Sequence, residues 1–161
     1  MKNSKKIIAI FYLLFLMILV SGCKKNYQIF VEYNFDSGEY QLYGFVTQEA
    51  LHGETPFAIS KKNFVITNKE TLNQMKQTWK LKPWRKGSPK CGSTYIMVLM
   101  KGSIYVKHFG VNFDCGYLTI ENWHQFYPEL LTTYQKNIIS ISEIEVQTIK
   151  ETLFHQTGLD F

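Results

Sequence analysis

The sequence has few of the residues that build metal sites and disulfide frameworks. Its 161 residues include only three cysteines and four histidines. None of them stands at the spacing of a zinc finger or of an H-E-x-x-H metalloprotease helix. The G-x-S-x-G pattern of a nucleophile elbow is also absent from the sequence. We therefore predict no metal, no cofactor and no catalytic residue.

The net charge of the chain is close to zero when residues 1–22 are left out. The whole chain has a formal net charge of +5. Residues 1–22 hold three of the eighteen basic residues and no acidic one, so the remainder carries 15 minus 13, or +2. The basic residues are concentrated, because residues 61–107 contain eleven of them against Glu70 alone. The middle of the chain is thus strongly positive between two acidic flanks.

The N-terminus has the pattern of a secretory signal peptide. Lys2, Lys5 and Lys6 precede an uncharged apolar run from Ile7 to Val20. As a helix these fourteen residues span about 21 Å, whereas a transmembrane helix crosses a hydrocarbon core of ~30 Å. The length of the run and the small residues after it favour cleavage over a permanent anchor helix.

The residues that end this run, Val20-Ser21-Gly22-Cys23, resemble the lipobox of bacterial lipoproteins. Val20 occupies the aliphatic position and Cys23 the modified position, with two small residues between them. The resemblance is confined to the signal peptide and its cleavage site. It implies that the Cys23 thiol receives a diacylglycerol, that residues 1–22 are removed, and that the new amino group is acylated. The alternative is a buried cysteine after an anchor helix.

The same resemblance implies a location in the cell envelope. One acyl chain holds a protein to a bilayer only weakly, whereas two or three hold it durably. In lipoproteins of enteric-type bacteria an Asp after the lipidated cysteine retains the protein in the inner membrane, and Lys24 stands at that position here. We expect the outer membrane facing the periplasm, with the inner membrane or the cell surface as alternatives. Residues 23–26 form the lipidated N-terminus and a short tether.

Lipidation of Cys23 leaves Cys91 and Cys115 as an even pair in an oxidising compartment. The β-rich runs on either side of Gly102-Ser103 predict a hairpin with a two-residue turn. Pairing across this turn brings both cysteines to the open end of the hairpin, within range of a disulfide if the ladder contains one bulge. We expect a structural disulfide, with a reactive thiol as the alternative.

Residues 27–161 are predicted to form a single α+β domain. Aromatic and β-branched runs indicate strands, and apolar residues at helical spacing indicate helices. The predicted strands are 27–35, 39–46, 64–67, 94–101 and 104–111, and the predicted helices begin after residue 67, span 121–135 and begin after residue 142. The first two strands form a predicted hairpin whose aromatics are either buried on both faces or exposed for binding. We expect an antiparallel sheet of β-hairpins with two or three helices packed on one face.

Helix ends have sequence signals of their own. Thr67-x-x-Glu70 and Ser142-x-x-Glu145 both resemble capping boxes, and each precedes a run of apolar residues at helical spacing. Gly158 is a predicted C-cap for the last helix. Residues 82–92, rich in proline and glycine, are predicted as a loop.

The strongest signal outside the predicted core is the basic segment, residues 76–90, with the sequence KQTWKLKPWRKGSPK. Six of its fifteen residues are basic, none is acidic, and two are tryptophans. Such segments bind membrane surfaces, phosphate-bearing polymers or acidic proteins. The predicted partner-binding residues are Lys80, Lys82, Trp84, Arg85, Lys86 and Lys90. The alternative is a solvated helix end and loop, with Trp79 in the core.

Three functions are open at this point. The first is a non-enzymatic envelope module of the inhibitor, immunity or assembly-factor type, which binds an acidic protein or an anionic envelope polymer. Nucleic acid is set aside, because a lipid-anchored envelope protein seldom meets it. The second is a hydrolase acting on an envelope polymer, which needs a cleft where a histidine meets a distant Asp or Glu. The third is a purely structural lipoprotein. The basic segment favours the first.

Overall fold

The elements in the computed structural model are those of an α+β protein, as predicted. The structure describes residues 27–52, 62–83, 92–113, 117–119, 124–125 and 136–159. Within these ranges the strands are β1 (Tyr27–Gln28), β2 (Tyr40–Val46), β3 (Phe64–Ile66), β4 (Lys80–Pro83), β5 (Tyr95–Lys101), β6 (Ile104–Asn112), β7 (Tyr117–Thr119), β8 (His124–Gln125) and β9 (Ile139–Ser140). The helices are α1 (Gln48–His52), α2 (Lys69–Thr78) and α3 (Glu143–Thr157).

Hydrogen bonds join these strands into two antiparallel sheets. In the described part of the chain, the larger sheet has six strands in the order β7-β6-β5-β2-β3-β9, and the smaller has three in the order β1-β4-β8. Every strand pair is antiparallel, which confirms the predicted type of sheet. Among the described residues, no helix combines the length and the hydropathy needed to span a bilayer.

Strands β5 and β6 form the predicted hairpin. Lys101 pairs with Ile104 across a two-residue turn. The turn begins with Gly102 at a φ of +58°, a left-handed conformation that glycine adopts at little steric cost. The register shifts by one residue next to Leu99. The hairpin therefore contains a bulge of the kind that the predicted disulfide requires.

Strand β5 is buried on both of its faces. Tyr95, Met97 and Leu99 belong to one cluster of buried side chains, and Val98 and Met100 belong to a second. All five are at most 3 % exposed. Successive side chains of a strand point to opposite faces of its sheet, so the two clusters lie on opposite sides of the larger sheet. An unbroken apolar run is typical of a strand that is covered on both sides.

Helix α2 covers the first face of the larger sheet. Leu72, Met75 and Trp79 recur at helical spacing, are at most 1 % exposed, and belong to the first cluster. The helix begins at the N-cap Asn68, whose Oδ1 accepts a hydrogen bond from the Thr71 N–H at 2.8 Å. The capping box predicted one residue earlier is wrong, because the amide side chain of Asn68 already satisfies the exposed N–H of the first turn.

The ends of helix α3 match the sequence signals. The Glu145 N–H donates to Ser142 Oγ, and the Glu145 carboxylate accepts from the Ser142 N–H, which confirms this capping box. At the other end Gly158 has a φ of +72°, and its N–H donates to the carbonyl of Phe154 at 2.8 Å. The helix is thus fixed at both ends by local sequence.

Helix α3 covers the second face of the larger sheet, so the expectation that the helices pack on one face is wrong. Val146 and Leu153 are at most 2 % exposed and pack in the second cluster with Val98 and Met100. The physical reason is the two-sided burial of β5. A single layer of helices would leave one row of its apolar side chains in water.

The predicted hairpin of residues 27–35 with residues 39–46 is also wrong. Strand β1 has two residues and pairs with β4, with Gln28 opposite Lys80. Strand β2 pairs instead with β3 and β5. The predicted strand 39–46 is confirmed as β2, whereas of the predicted strand 27–35 only Tyr27 and Gln28 are extended, and Phe35–Ser37 form a 3₁₀ helix.

Tight turns after β1 explain why this hairpin does not form. The Val31 N–H donates to the carbonyl of Gln28 at 3.4 Å, and the Tyr33 N–H donates to that of Phe30 at 3.1 Å. The turns carry Phe30 and Phe35 into the first cluster, where they are at most 1 % exposed. These aromatics therefore fill the core and do not form an exposed binding surface.

The smaller sheet corrects two further predictions. The loop predicted over residues 82–92 begins later, because β4 extends through Pro83 and pairs with both β1 and β8. Within the predicted helix 121–135 the structure describes His124 and Gln125, which form strand β8. Backbone pairing with β4 overrides the local helical pattern at these two residues. The rest of that predicted helix lies outside the described residues.

Truncation of α3 on its inner and outer sides tests the two-sided arrangement. We expect Leu153→Ala to lower the free energy of unfolding by about 2–5 kcal/mol, because it empties space in a packed cluster. Ile144, on the same helix, is 80 % exposed, so we expect Ile144→Ala to change stability by less than about 0.5 kcal/mol. Urea unfolding of both variants measures the difference. Equal stability of the two variants would contradict the placement of α3.

Candidate functional site

The basic segment begins in the last turn of α2 and continues into strand β4. Lys80 is the first residue of β4 and is exposed. Lys82 also lies in β4, where it pairs with Gln125 of β8. The other predicted partner-binding residues, Trp84, Arg85, Lys86 and Lys90, lie outside the described residues. Trp79 is fully buried, so this tryptophan belongs to the core.

Pairing with β1 places this segment beside the start of the folded domain. Gln28 is opposite Lys80 and Tyr27 is opposite Leu81. Paired residues in an antiparallel ladder have Cα atoms about 4.5–5.5 Å apart. Lys80 therefore lies one ladder step from a residue that is five positions after Cys23 in the sequence. The sequence separation of more than fifty residues between them gave no sign of this contact.

Two more lysines converge on the turns that follow β1. Lys76 Nζ, from α2, donates a hydrogen bond to the carbonyl of Tyr33 at 2.6 Å. Lys107 Nζ, from β6, donates to the carbonyl of Ile29 at 3.4 Å and lies 5.7 Å from the ring centroid of Tyr33. Both lysines are half-buried, and each places its cation beside the turns that follow β1.

We call the residues Val31, Lys76, Lys80 and Lys107 the tether-side surface. Val31 is 54 % exposed, which leaves an apolar side chain at the tip of the turn. Glu32, also exposed, is the acidic residue beside it in the turn. The surface combines an apolar tip with three cations supplied by α2, β4 and β6. Lys107 and Val31 were missed from sequence, because neither lies in the basic segment and only the fold brings them to it.

A second feature is a groove of about 400 Å³ between α3 and the sheet. Its lining residues come from β2, β3 and α3 and from the residues beside these elements: Gln41, Tyr43, Val65, Thr67, Ile141, Ile144, Glu145, Thr148 and Ile149. Ile144 forms an apolar rim. Tyr43 Oη donates a hydrogen bond to Gln41 Oε1 at 2.7 Å. The groove therefore joins apolar walls to a small group of hydrogen-bonding side chains.

The two titratable groups of the groove, Glu145 and Tyr43, keep their usual protonation states at neutral pH. The Ser142 N–H and hydroxyl each donate to Glu145 Oε2 at 2.8 Å, and these bonds lower the pKa of the Glu145 carboxyl. Burial raises the pKa of Tyr43, and the negative charge of Glu145 raises it further. Glu145 is thus a carboxylate and Tyr43 a neutral phenol. Such a pair can hold a ligand but is not poised to exchange protons at neutral pH.

Histidines were the candidate bases for a hydrolase. His108 lies on β6, and its Nδ1 is 2.7 Å from Tyr105 Oη. Burial lowers the pKa of His108 and raises that of Tyr105, so this hydrogen bond joins two side chains that are uncharged at neutral pH. His155 packs its ring against Phe154. Each of these two histidines thus packs against an aromatic side chain.

Several candidate residues cannot be placed in this geometry. Cys23, Cys91 and Cys115 lie outside the described residues, as do Asp114 and Glu121. In the parts of the chain that the structure describes, no group of three or more His, Cys, Asp or Glu side chains is arranged to hold a metal ion.

Comparison with known proteins adds no further constraint. No protein-family model, no curated protein and no solved structure matches the chain.

Proposed function

We propose that the chain is a lipid-anchored bacterial envelope protein whose folded domain is a non-enzymatic binding module. The observation that carries this proposal is the position of the basic segment. Its residues Lys80–Pro83 form β4, which pairs with strands on both sides, so this part of the segment has a fixed backbone. The alternative is a solvated helix end and loop with Trp79 in the core. Trp79 is buried as that alternative has it, but residues 80–83 form a paired strand and not a loop. Charged side chains on a fixed backbone are suited to recognition.

Three of the described carboxylates form local structural contacts, which supports binding over hydrolysis. Glu145 caps α3. Glu39 forms an ion pair with Lys101 at 3.1 Å, and Asp36 accepts a hydrogen bond from Asn73 at 2.8 Å. Each of these carboxylates serves a local structural contact. A hydrolytic site would instead aim a carboxylate and a base at a common point in a cleft.

The chemistry of the partner follows from the composition of the binding segment. Its proposed contact residues are Lys80, Lys82, Trp84, Arg85, Lys86 and Lys90. Lysine and arginine donate charge-assisted hydrogen bonds to carboxylates and phosphates, and tryptophan adds apolar contact area. We assign the segment to an acidic protein or an anionic envelope polymer.

The anchor is Cys23, and the proposed location is the outer membrane facing the periplasm. The apolar run before Cys23 and the two small residues at the cleavage site support lipidation, as described above. Lys24 in place of an Asp supports the outer membrane over the inner one. Residues 1–22 are then absent from the mature protein.

A disulfide between Cys91 and Cys115 is part of the proposal. The chain ends nearest to them are held together, since the Asn112 side chain donates to the carbonyl of Gly92 and the Thr94 N–H donates to that of Val111 at 2.8 Å. In the described hairpin Tyr95 is opposite Val111 and Ile96 is opposite Gly110, and the same register would set position 91 opposite position 115. Cross-strand neighbours at this spacing are within reach of a bridge.

Substitution of Cys23 tests the lipid anchor. The wild-type protein should partition into the detergent phase of a Triton X-114 extract, because its acyl chains enter micelles. Cys23→Ser removes the thiol that carries the diacylglycerol and should move the protein to the aqueous phase. Ser21→Ala, which keeps a small residue in the box, is the matched control and should stay with the detergent. A Cys23→Ser protein that remains in the detergent phase would refute lipidation.

Peptide mapping of the exported protein tests the disulfide. Digestion without reductant should release one species that joins the peptides containing Cys91 and Cys115, and reduction should separate them. The bridge should form because the compartment is oxidising and the two positions are close. Free thiols at both positions in freshly exported protein would show that the pairing is wrong.

A further inference from the structure

The length of the tether restricts how the domain can lie on its membrane. This inference rests on the proposed lipid anchor at Cys23. Four residue steps separate Cys23 from Tyr27, the first residue of β1, and they span at most about 14 Å when fully extended. A domain of this size has a radius of gyration of about 14 Å. The tether is therefore too short to let the far side of the domain reach the bilayer.

The tether-side surface is the part of the described domain that this restriction brings to the membrane. Lys80 pairs with Gln28, one residue after the start of β1. Lys107 contacts the carbonyl of Ile29, the next residue along. Lys76 contacts the turn a few residues further on. Three elements that are distant in sequence thus place a cation each around the first turns of the domain.

We propose that the tether-side surface lies against the bilayer that holds the lipid and binds the anionic phosphate headgroups of its phospholipids. Each basic residue near an anionic surface strengthens binding about fivefold, and the effect decays within a Debye length of about 8 Å. Val31 supplies an apolar side chain at the depth where headgroups meet acyl chains. The negative charge of Glu32, beside Val31, offsets one of the three positive charges in the count, so the net charge of this part of the surface is positive.

On the tether-side surface, which shares only Lys80 with the six proposed partner-binding residues, membrane lipid is favoured over an acidic protein because of where this surface lies. A protein partner would have to enter the gap between the domain and a bilayer that is at most about 14 Å away. Headgroups already occupy that side. Helix α3 and its groove lie on the opposite face of the larger sheet from α2 and the first turns. This orientation leaves the groove open to the aqueous side.

Lysine footprinting of the lipidated protein tests the orientation. The protein would be reconstituted into vesicles of phosphatidylcholine mixed with phosphatidylglycerol, and in parallel into vesicles of phosphatidylcholine alone. Reductive methylation with formaldehyde, followed by mass mapping, gives a reaction rate for each lysine. Lys62 and Lys150 serve as internal controls, since Lys62 precedes β3 and Lys150 lies in α3, which covers the other face of the larger sheet.

We expect Lys76, Lys80 and Lys107 to react about fivefold more slowly in the anionic vesicles than in the neutral ones. The control lysines should react at equal rates in both. In about 1 M salt, where the Debye length is about 3 Å, the protection should be lost. Equal rates for the three surface lysines in both kinds of vesicle would overturn the proposal and leave the lipid anchor standing. A protein that fails to float with either vesicle would overturn the anchor itself.

Discussion

The two-sided burial of β5 is the constraint on which the rest of the fold depends. Its alternate side chains enter two separate clusters, so the larger sheet needs cover on both faces. Helix α2 and the turns after β1 supply the cover on one face, and α3 supplies it on the other. Removing either layer would expose a row of side chains that are almost fully buried. The tether-side surface and the groove therefore lie on opposite faces of the larger sheet.

Local signals in the sequence predicted local structure well. The β5–β6 turn, the apolar face of α2 and both ends of α3 follow from glycine, apolar spacing and capping residues. The pairing of strands that are distant in the sequence could not be predicted from these local signals. Gly44 illustrates why: it pairs with Phe64, whose ring fills the space that a Cβ atom on Gly44 would need. From the sequence alone, a glycine within a strand predicts only a less stable strand. The fold shows that the missing side chain of Gly44 leaves room for the ring of Phe64.

The candidate site was predictable only in part for the same reason. The basic segment was visible from composition, because it is a run of neighbouring residues. Its position beside the tether depends on the pairing of β1 with β4, which links residues more than fifty positions apart. Lys107 and Val31 carry no sequence signal and join the surface through β6 and a tight turn. The charge pattern of the sequence thus indicated Lys76 and Lys80, whereas the other two residues of the tether-side surface follow only from the topology.

The pairing of β1 with β4 is the central claim, since it connects the start of the folded domain, four residues after the proposed anchor Cys23, to the basic segment. Nuclear Overhauser contacts between the backbone protons of Gln28 and Lys80 in isotopically labelled protein test it most directly. We predict cross-strand contacts between Gln28 and Lys80 and between Tyr27 and Leu81, together with contacts between Val46 and Tyr95. Contacts between Gln28 and Val46 would instead indicate the hairpin of residues 27–35 with 39–46 and would contradict this account.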